Sequence, residues 1–137
     1  MKVIIDSDLL ISLWYKDQPT HQKAKKIYSQ IHKHNNSSIY ILNLNIQESA
    51  TVISKKYSQT EAVRFTREIE DNINKKLITY IKLTNKIESL AWQIFAKQTK
   101  KNISFIDCAV LATFQIYKFD KILSFDDFYP PSSLIIS

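Results

Sequence analysis

Val3-Ile4-Ile5-Asp6-Ser7-Asp8-Leu9-Leu10-Ile11-Ser12-Leu13-Trp14 begins with a β-branched run that stops at an acid, after which Leu9, Leu10, Leu13 and Trp14 recur at helical spacing. Strand, short turn and helix are the expected order. Residues 20–33 place Ala24, Ile27, Tyr28 and Ile31 on one helical face, and a polar segment then leads into a second strand over Ile39–Leu42. Helices are expected from near Asn45 and over 60–73, a strand over Leu77–Leu83, and helices over 85–98 and Ser104–Tyr117. Lys121–Phe125 reads as a strand, and Leu134–Ile136 as a last edge strand after the bend at Pro130 and Pro131. Strands alternating with helices argue for an α/β fold with a mostly parallel sheet covered on both faces, because parallel strands need crossover connections.

The chain has 137 residues, 45% of them hydrophobic and 23% charged, which suits a single domain over 1–137. It contains no glycine, so the Gly-rich phosphate cradles and the G-x-S-x-G nucleophile elbow are excluded. Cys108 is the only cysteine, which excludes an intrachain disulfide and suits a reducing compartment; the expected location is cytoplasmic. Asp6 and Asp8 interrupt the N-terminal apolar stretch, and no apolar run approaches a membrane span, so neither export nor membrane anchoring is expected. The net charge of +6 points to an anionic partner such as nucleic acid, although it also serves solubility. Only Arg64 and Arg67 among the nineteen cations are Arg, which favours diffuse attraction to phosphates over bidentate reading of base edges.

In an open α/β sheet, ligands bind beyond the carboxyl ends of the strands near the topological switch point. Asp6 follows the first strand and Asp126 the last main one, while Glu48 and Asp107 fall in the first turns of helices. Each acid also has a structural reading. Asn45 with Glu48 and Ser104 with Asp107 have capping-box spacing, and Asp6 and Asp126 suit Asx turns. Glu88 shares the Asn45–Glu48 pattern through Asn85, Asp8 can line the same opening as Asp6, and Asp127 replaces Asp126 if the strand runs one residue longer.

Carboxylates gathered without a cation repel one another and stay partly protonated near neutrality, so such a set implies a divalent metal. Oxygen-only ligands select Mg²⁺ or Mn²⁺, which suit hydrolysis of a phosphodiester. With four acids taken up by metal, nineteen cations face the nine remaining acids, a balance that guides a polyanion. His21, His32 and His34 lack zinc-site spacing and read as solvated, and Cys108 reads as a small buried residue. Trp14, Tyr15, Phe128 and Tyr129 follow the two strand-end acids, where packing is the first account and base stacking the second.

Across essentially its whole length the chain resembles the PIN domain family, and within it the small VapC-type toxins of bacterial toxin–antitoxin pairs. The resemblance is carried by Val3-Ile4-Ile5-Asp6-Ser7-Asp8, Asn45-Ile46-Gln47-Glu48, Ser104-Phe105-Ile106-Asp107-Cys108-Ala109 and Ile122-Leu123-Ser124-Phe125-Asp126-Asp127-Phe128. It implies a three-layer α/β/α sandwich and a Mg²⁺- or Mn²⁺-dependent endoribonuclease acting on single-stranded or looped RNA. The implied metal and catalytic acids are Asp6, Glu48, Asp107 and Asp126, with Ser124 in support and Asp8 where many members carry Asn. It also implies a homodimer silenced by a cognate antitoxin. Lys118 and Phe119 stand where a glycine is usual before the final strand.

Two other readings fit parts of the same pattern. Ile5-Asp6-Ser7-Asp8 is similar to the nucleophile motif of haloacid-dehalogenase-like phosphatases, with Asp6 phosphorylated and Asp8 as acid and base. Only eleven residues follow Asp126, fewer than that fold is expected to need. The other rival is a catalytically inactive PIN-like RNA-binding module whose acids only cap helices. On the nuclease reading, Asp6→Asn and Asp107→Asn abolish cleavage and leave the fold intact.

Overall fold

The computed structural model describes residues 1–33 and 36–135. Among them, β1 (Lys2–Ile5), β2 (Ser38–Leu42), β3 (Thr79–Ile81) and β4 (Lys121–Leu123) form one sheet in the order β3-β2-β1-β4, and every pairing is parallel. Ile4 sits opposite both Tyr40 of β2 and Ile122 of β4, and Ile5 opposite Leu123. The helices are α1 (Ser7–Trp14), α2 (His21–His32), α3 (Asn43–Lys56), α4 (Gln59–Asn74), α5 (Asn85–Ala96) and α6 (Phe105–Ile116). Leu134 adds a single parallel bridge to Ile122 in place of the expected edge strand. Ile136 of that strand, and His34, lie outside the described residues.

The two-residue periodicity of the strands sends alternate side chains to opposite faces, and each face has its own helical layer. Val3, Ile5, Ile39, Ile41 and Leu123 pack against α1 to α4 through residues such as Leu9, Ile27, Ile53 and Phe65. Ile4, Leu42 and Ile122 pack on the other face against α5 and α6 through Ile87, Ala91, Cys108 and Ala112. The central strand β1 is therefore buried on both sides, and each Ile or Leu so covered contributes about 1.5–3 kcal/mol. This is the three-layer α/β/α arrangement expected from the sequence.

Without glycine, other residues must take the left-handed backbone at helix ends. Lys118 does so at φ 54° after α6, where the Phe119 N–H reaches back to the Phe114 carbonyl at 3.0 Å. Lys76 repeats the device after α4 at φ 61°, with the Leu77 N–H on the Asn72 carbonyl at 2.9 Å. The turn before β4 thus keeps its geometry with Lys118 in the glycine position, at a steric cost. Lys118→Gly is expected to stabilise the protein by about 0.5–1 kcal/mol, since relief of the left-handed strain exceeds the added chain entropy. Denaturant midpoints of the two proteins check this.

Two helix starts differ from the expectations. α3 begins at Asn43 behind Leu42, which offers no side-chain cap, so Asn45 is not a capping residue. α5 is capped by Thr84, whose hydroxyl accepts from the Ile87 N–H, so Asn85 is not a cap either.

Candidate active site

The chain leaves β1 toward β2 and β3 and returns to the other side of β1 as β4. The switch point therefore lies at the carboxyl ends of β1 and β4. The Asp6 N–H donates to the Leu123 carbonyl at 3.0 Å, joining the two strand ends. Asp6 caps α1 from an extended backbone and is only 3% exposed. Its Oδ1 accepts from the Ser7 N–H at 2.8 Å and Asn45 Nδ2 at 2.9 Å. Its Oδ2 lies 2.9 Å from the donating Tyr129 hydroxyl and 3.0 Å from Ser124 Oγ.

Asp8, in the first turn of α1, accepts from the Leu9 N–H at 2.6 Å and the Phe125 N–H at 3.0 Å. Ser124 Oγ sits between the two acids, 3.1 Å from either oxygen of Asp8, and accepts from the Asp126 N–H at 3.0 Å. Its single proton can serve only one carboxylate at a time. Asp126 accepts from the Phe128 N–H at 3.0 Å, the Asx turn expected of it. Asp107 closes the group from α6, in a capping box with Ser104: Ser104 Oγ accepts from the Asp107 N–H at 3.0 Å, and Asp107 Oδ2 from the Ser104 N–H at 3.4 Å. Ser104→Ala is expected to cost about 1 kcal/mol of stability by removing that cap. It should also lower any activity that depends on Asp107, and thermal melts alongside assays of the variant separate the two effects.

Electrostatically the acids act as one group. Burial first, and then the charge of Asp8, raise the Asp6 carboxyl to about 7 against the opposing pull of its hydrogen bonds. Burial, Asp6 and Asp126 raise Asp107 to about 6. Asp8 is raised by burial and, to a lesser degree, by Asp126. The Tyr129 hydroxyl is pushed well above its usual value by burial and by Asp6 and Asp107, so it remains a donor.

These shifts arise from like charges in a dry place, and a divalent cation reverses them. The donor chemistry is all oxygen and fits a hard ion. As the side chains stand, no three His, Cys, Asp or Glu groups among the described residues are gathered closely enough to ligate an ion together. Asp6 spends its oxygens on protein donors, whereas the 3.4 Å contact holds Asp107 only weakly.

The remaining candidates separate clearly. Glu48 lines a groove with Ser7 and Asp8, but its side chain makes no hydrogen bond or ion pair with a described residue. Asp127 and Glu88 are exposed, so Asp126 is the inward member of its pair. His21, expected to be solvated, is 9% exposed, with Nδ1 2.7 Å from the Ser12 carbonyl. Its place on the inward face of α2 beside Ala24 explains the difference. Cys108 is buried, and its thiol is raised by burial and Asp107, as a packing residue should be. Trp14 packs edge-on against Phe65 and Tyr15 stacks on Tyr57. Asn45 and Tyr129, both fully buried around Asp6, are the site residues whose contacts sequence reasoning missed. The Asn45 pattern resembled a cap, and nothing local to Tyr129 signals a partner 123 residues away.

Asp6 is also a poor phosphatase nucleophile, being buried with both oxygens engaged. No helix among the described residues is long and apolar enough to cross a membrane.

No curated protein sequence matches the chain significantly. The fold is similar to that of Mycobacterium tuberculosis VapC20, described as a sarcin-ricin-loop-cleaving toxin, with a TM-score of 0.78, 17% identity and coverage of 92% of both chains. It is also similar to a chain of a toxin-antitoxin complex from Klebsiella pneumoniae, with a TM-score of 0.61, 17% identity and coverage of 98% of this chain and 96% of that one. At such identity the likeness is one of fold. The sequence itself matches the PIN domain family model over residues 3–129, and the chain belongs to that family.

Proposed function

We propose that this PIN domain is a metal-dependent endoribonuclease and the toxin of a toxin–antitoxin pair. The observation that carries the reading is the set of Asp6, Asp8, Asp107 and Asp126 at the switch point, with Asp6 raised to about 7 by burial and Asp8, and Asp107 raised to about 6 by burial, Asp6 and Asp126. Asp6, Asp107 and Asp126 would hold Mg²⁺ or Mn²⁺, with Glu48 approaching from α3 and Asp8 adding charge. Such an ion would supply Lewis-acid activation of water and charge screening at the phosphodiester. The protein's own part is to fix Asp6 through Asn45 and Tyr129, to align Asp8 and Asp126 through Ser124, and to draw the polyanion in through its positive surface.

The two toxin neighbours support the wider role, one described as a sarcin-ricin-loop-cleaving toxin and the other found in a toxin-antitoxin complex. On that basis the substrate is single-stranded or looped RNA in the cytoplasm, and the partners are a cognate antitoxin and a second copy of the chain. The test is cleavage of a set of single-stranded and transfer RNAs by purified protein in Mg²⁺, in Mn²⁺ and in EDTA. Cutting in either metal and none in EDTA is expected. Cutting that survives EDTA removes the metal from the proposal, and no cutting under any condition removes the nuclease and leaves the RNA-binding module.

A further inference from the structure

We propose that the groove between α1 and α3 seats a nucleotide of single-stranded RNA adjacent to the one being cut, with Lys56 and Lys23 holding its phosphate and an apolar wall of Ile11, Val52 and Phe125 taking its base. The inference rests on the ribonuclease reading and deepens it by assigning a substrate subsite. The groove has a volume of about 390 Å³ and opens directly onto Asp8 and Glu48. Glu48, Val52 and Lys56 recur every four residues on α3 and so share one helical face. That face runs from acid through apolar side chain to cation over about 12 Å. Lys56 thus stands far enough from the acids to engage a phosphate other than the scissile one.

Charge supports the same occupant. The ion pairs among the described residues are those of Arg64 with Glu61 and Glu68, so neither Lys56 nor Lys23 is paired with a carboxylate of a described residue. Lys23 Nζ lies 5.6 Å from the centre of the Phe125 ring, which brings a second cation to the groove wall. Val52 is 39% exposed although apolar, and with Ile11 and Phe125 it supplies the apolar part of a lining that Ser12, Gln18 and Thr20 complete. Cations beside an apolar and aromatic wall, with acids at one end only, match a strand that alternates phosphate with base. Binding of this kind reads little sequence, in keeping with a chain poor in Arg.

The test uses Asp107→Asn protein, which keeps the groove and is expected not to cut, and a short fluorescein-labelled single-stranded RNA followed by anisotropy across a salt series. Adding Lys56→Gln and Lys23→Gln should weaken binding about tenfold and lower the salt slope by about 0.7 per lysine. Val52→Glu, at an exposed position, should weaken it at least as much by placing a carboxylate against the RNA. Lys75→Gln with Lys76→Gln, at the end of α4 where the chain enters β3, is the control for diffuse charge. Melting temperatures of all variants exclude a merely structural effect. Equal losses in the groove and control variants, or unchanged binding in the groove variants, overturn the subsite. If the groove variants lose binding while wild-type protein cuts no RNA in Mg²⁺ or Mn²⁺, the groove stands as an RNA-binding site and the nuclease reading falls, taking with it the nucleotide's place beside a cut.

Discussion

Asp107→Asn is expected to lower RNA cleavage by about 10³-fold or more, because ligand loss at a metal site forfeits several kcal/mol of charge stabilisation, at about 1.4 kcal/mol per factor of ten. The same substitution should stabilise the protein in the absence of metal. The Asp107 carboxyl is raised from 3.8 to about 6, so between those values the folded state binds more protons than the unfolded state. Stability attributable to this group therefore falls as pH rises through that window and stays low above it. Asparagine removes the penalty and keeps a side chain at the third position of α6. Because Asp107 is half-buried, the gain at pH 8 is discounted to the order of 1 kcal/mol, or about 3–5 °C in melting temperature. At pH 4 the two proteins should melt together. Single-turnover cleavage and a pair of thermal scans provide both readings, and a variant that lost activity by unfolding would fail the second.

Asn45→Ala should damage the site from beneath. Asn45 is 0% exposed and donates to Asp6 Oδ1 at 2.9 Å and to Ser7 Oγ at 3.0 Å, so it ties the start of α1 to α3. Ser7 Oγ returns a hydrogen bond to the Asn45 carbonyl at 3.3 Å, which closes the link. Truncation leaves a small cavity and takes a donor from a buried carboxylate, at a cost of about 2–3 kcal/mol. Because Asp6 then loses part of its fixed orientation, metal affinity or activity should fall by about 10–100-fold. Denaturant melts and the metal dependence of cleavage check the two effects. Loss of stability with unchanged metal dependence would confine Asn45 to packing.

The alternation of strands and helices was legible because β1 and α1 carry their periods openly, and because Ser104 with Asp107 forms the capping box that its spacing suggests while still facing the acids. Asn45 and Asn85 show where such reading stops. Both precede a Glu at the same spacing, yet Leu42 and Thr84 are the positions from which α3 and α5 start. In α3 the buried link to Asp6 and Ser7 takes the Asn45 side chain away from any capping role, which is a tertiary choice that spacing does not encode. Tyr129 stood out only as an aromatic beside a strand-end acid, and its contact with Asp6 was hidden for a related reason, since it is a single hydrogen bond across the fold. Asp8 looked like a spare acid beside Asp6. Its importance follows from Ser124 and the Phe125 N–H, which reach it only when β4 lies next to β1.

The central claim, that the acids at the ends of β1 and β4 form a divalent-metal site, is tested most directly by thermal denaturation of wild-type and Asp107→Asn protein with and without Mn²⁺ at pH 8 and pH 5. A ligand bound only by the folded state raises the melting temperature, and protons compete for the same carboxylates. Wild-type protein should gain stability with Mn²⁺ at pH 8 and much less at pH 5, where Asp6 and Asp107 are largely protonated. Asp107→Asn should show little gain at either pH. An equal gain in both proteins, or none in the wild type at pH 8, would contradict the account.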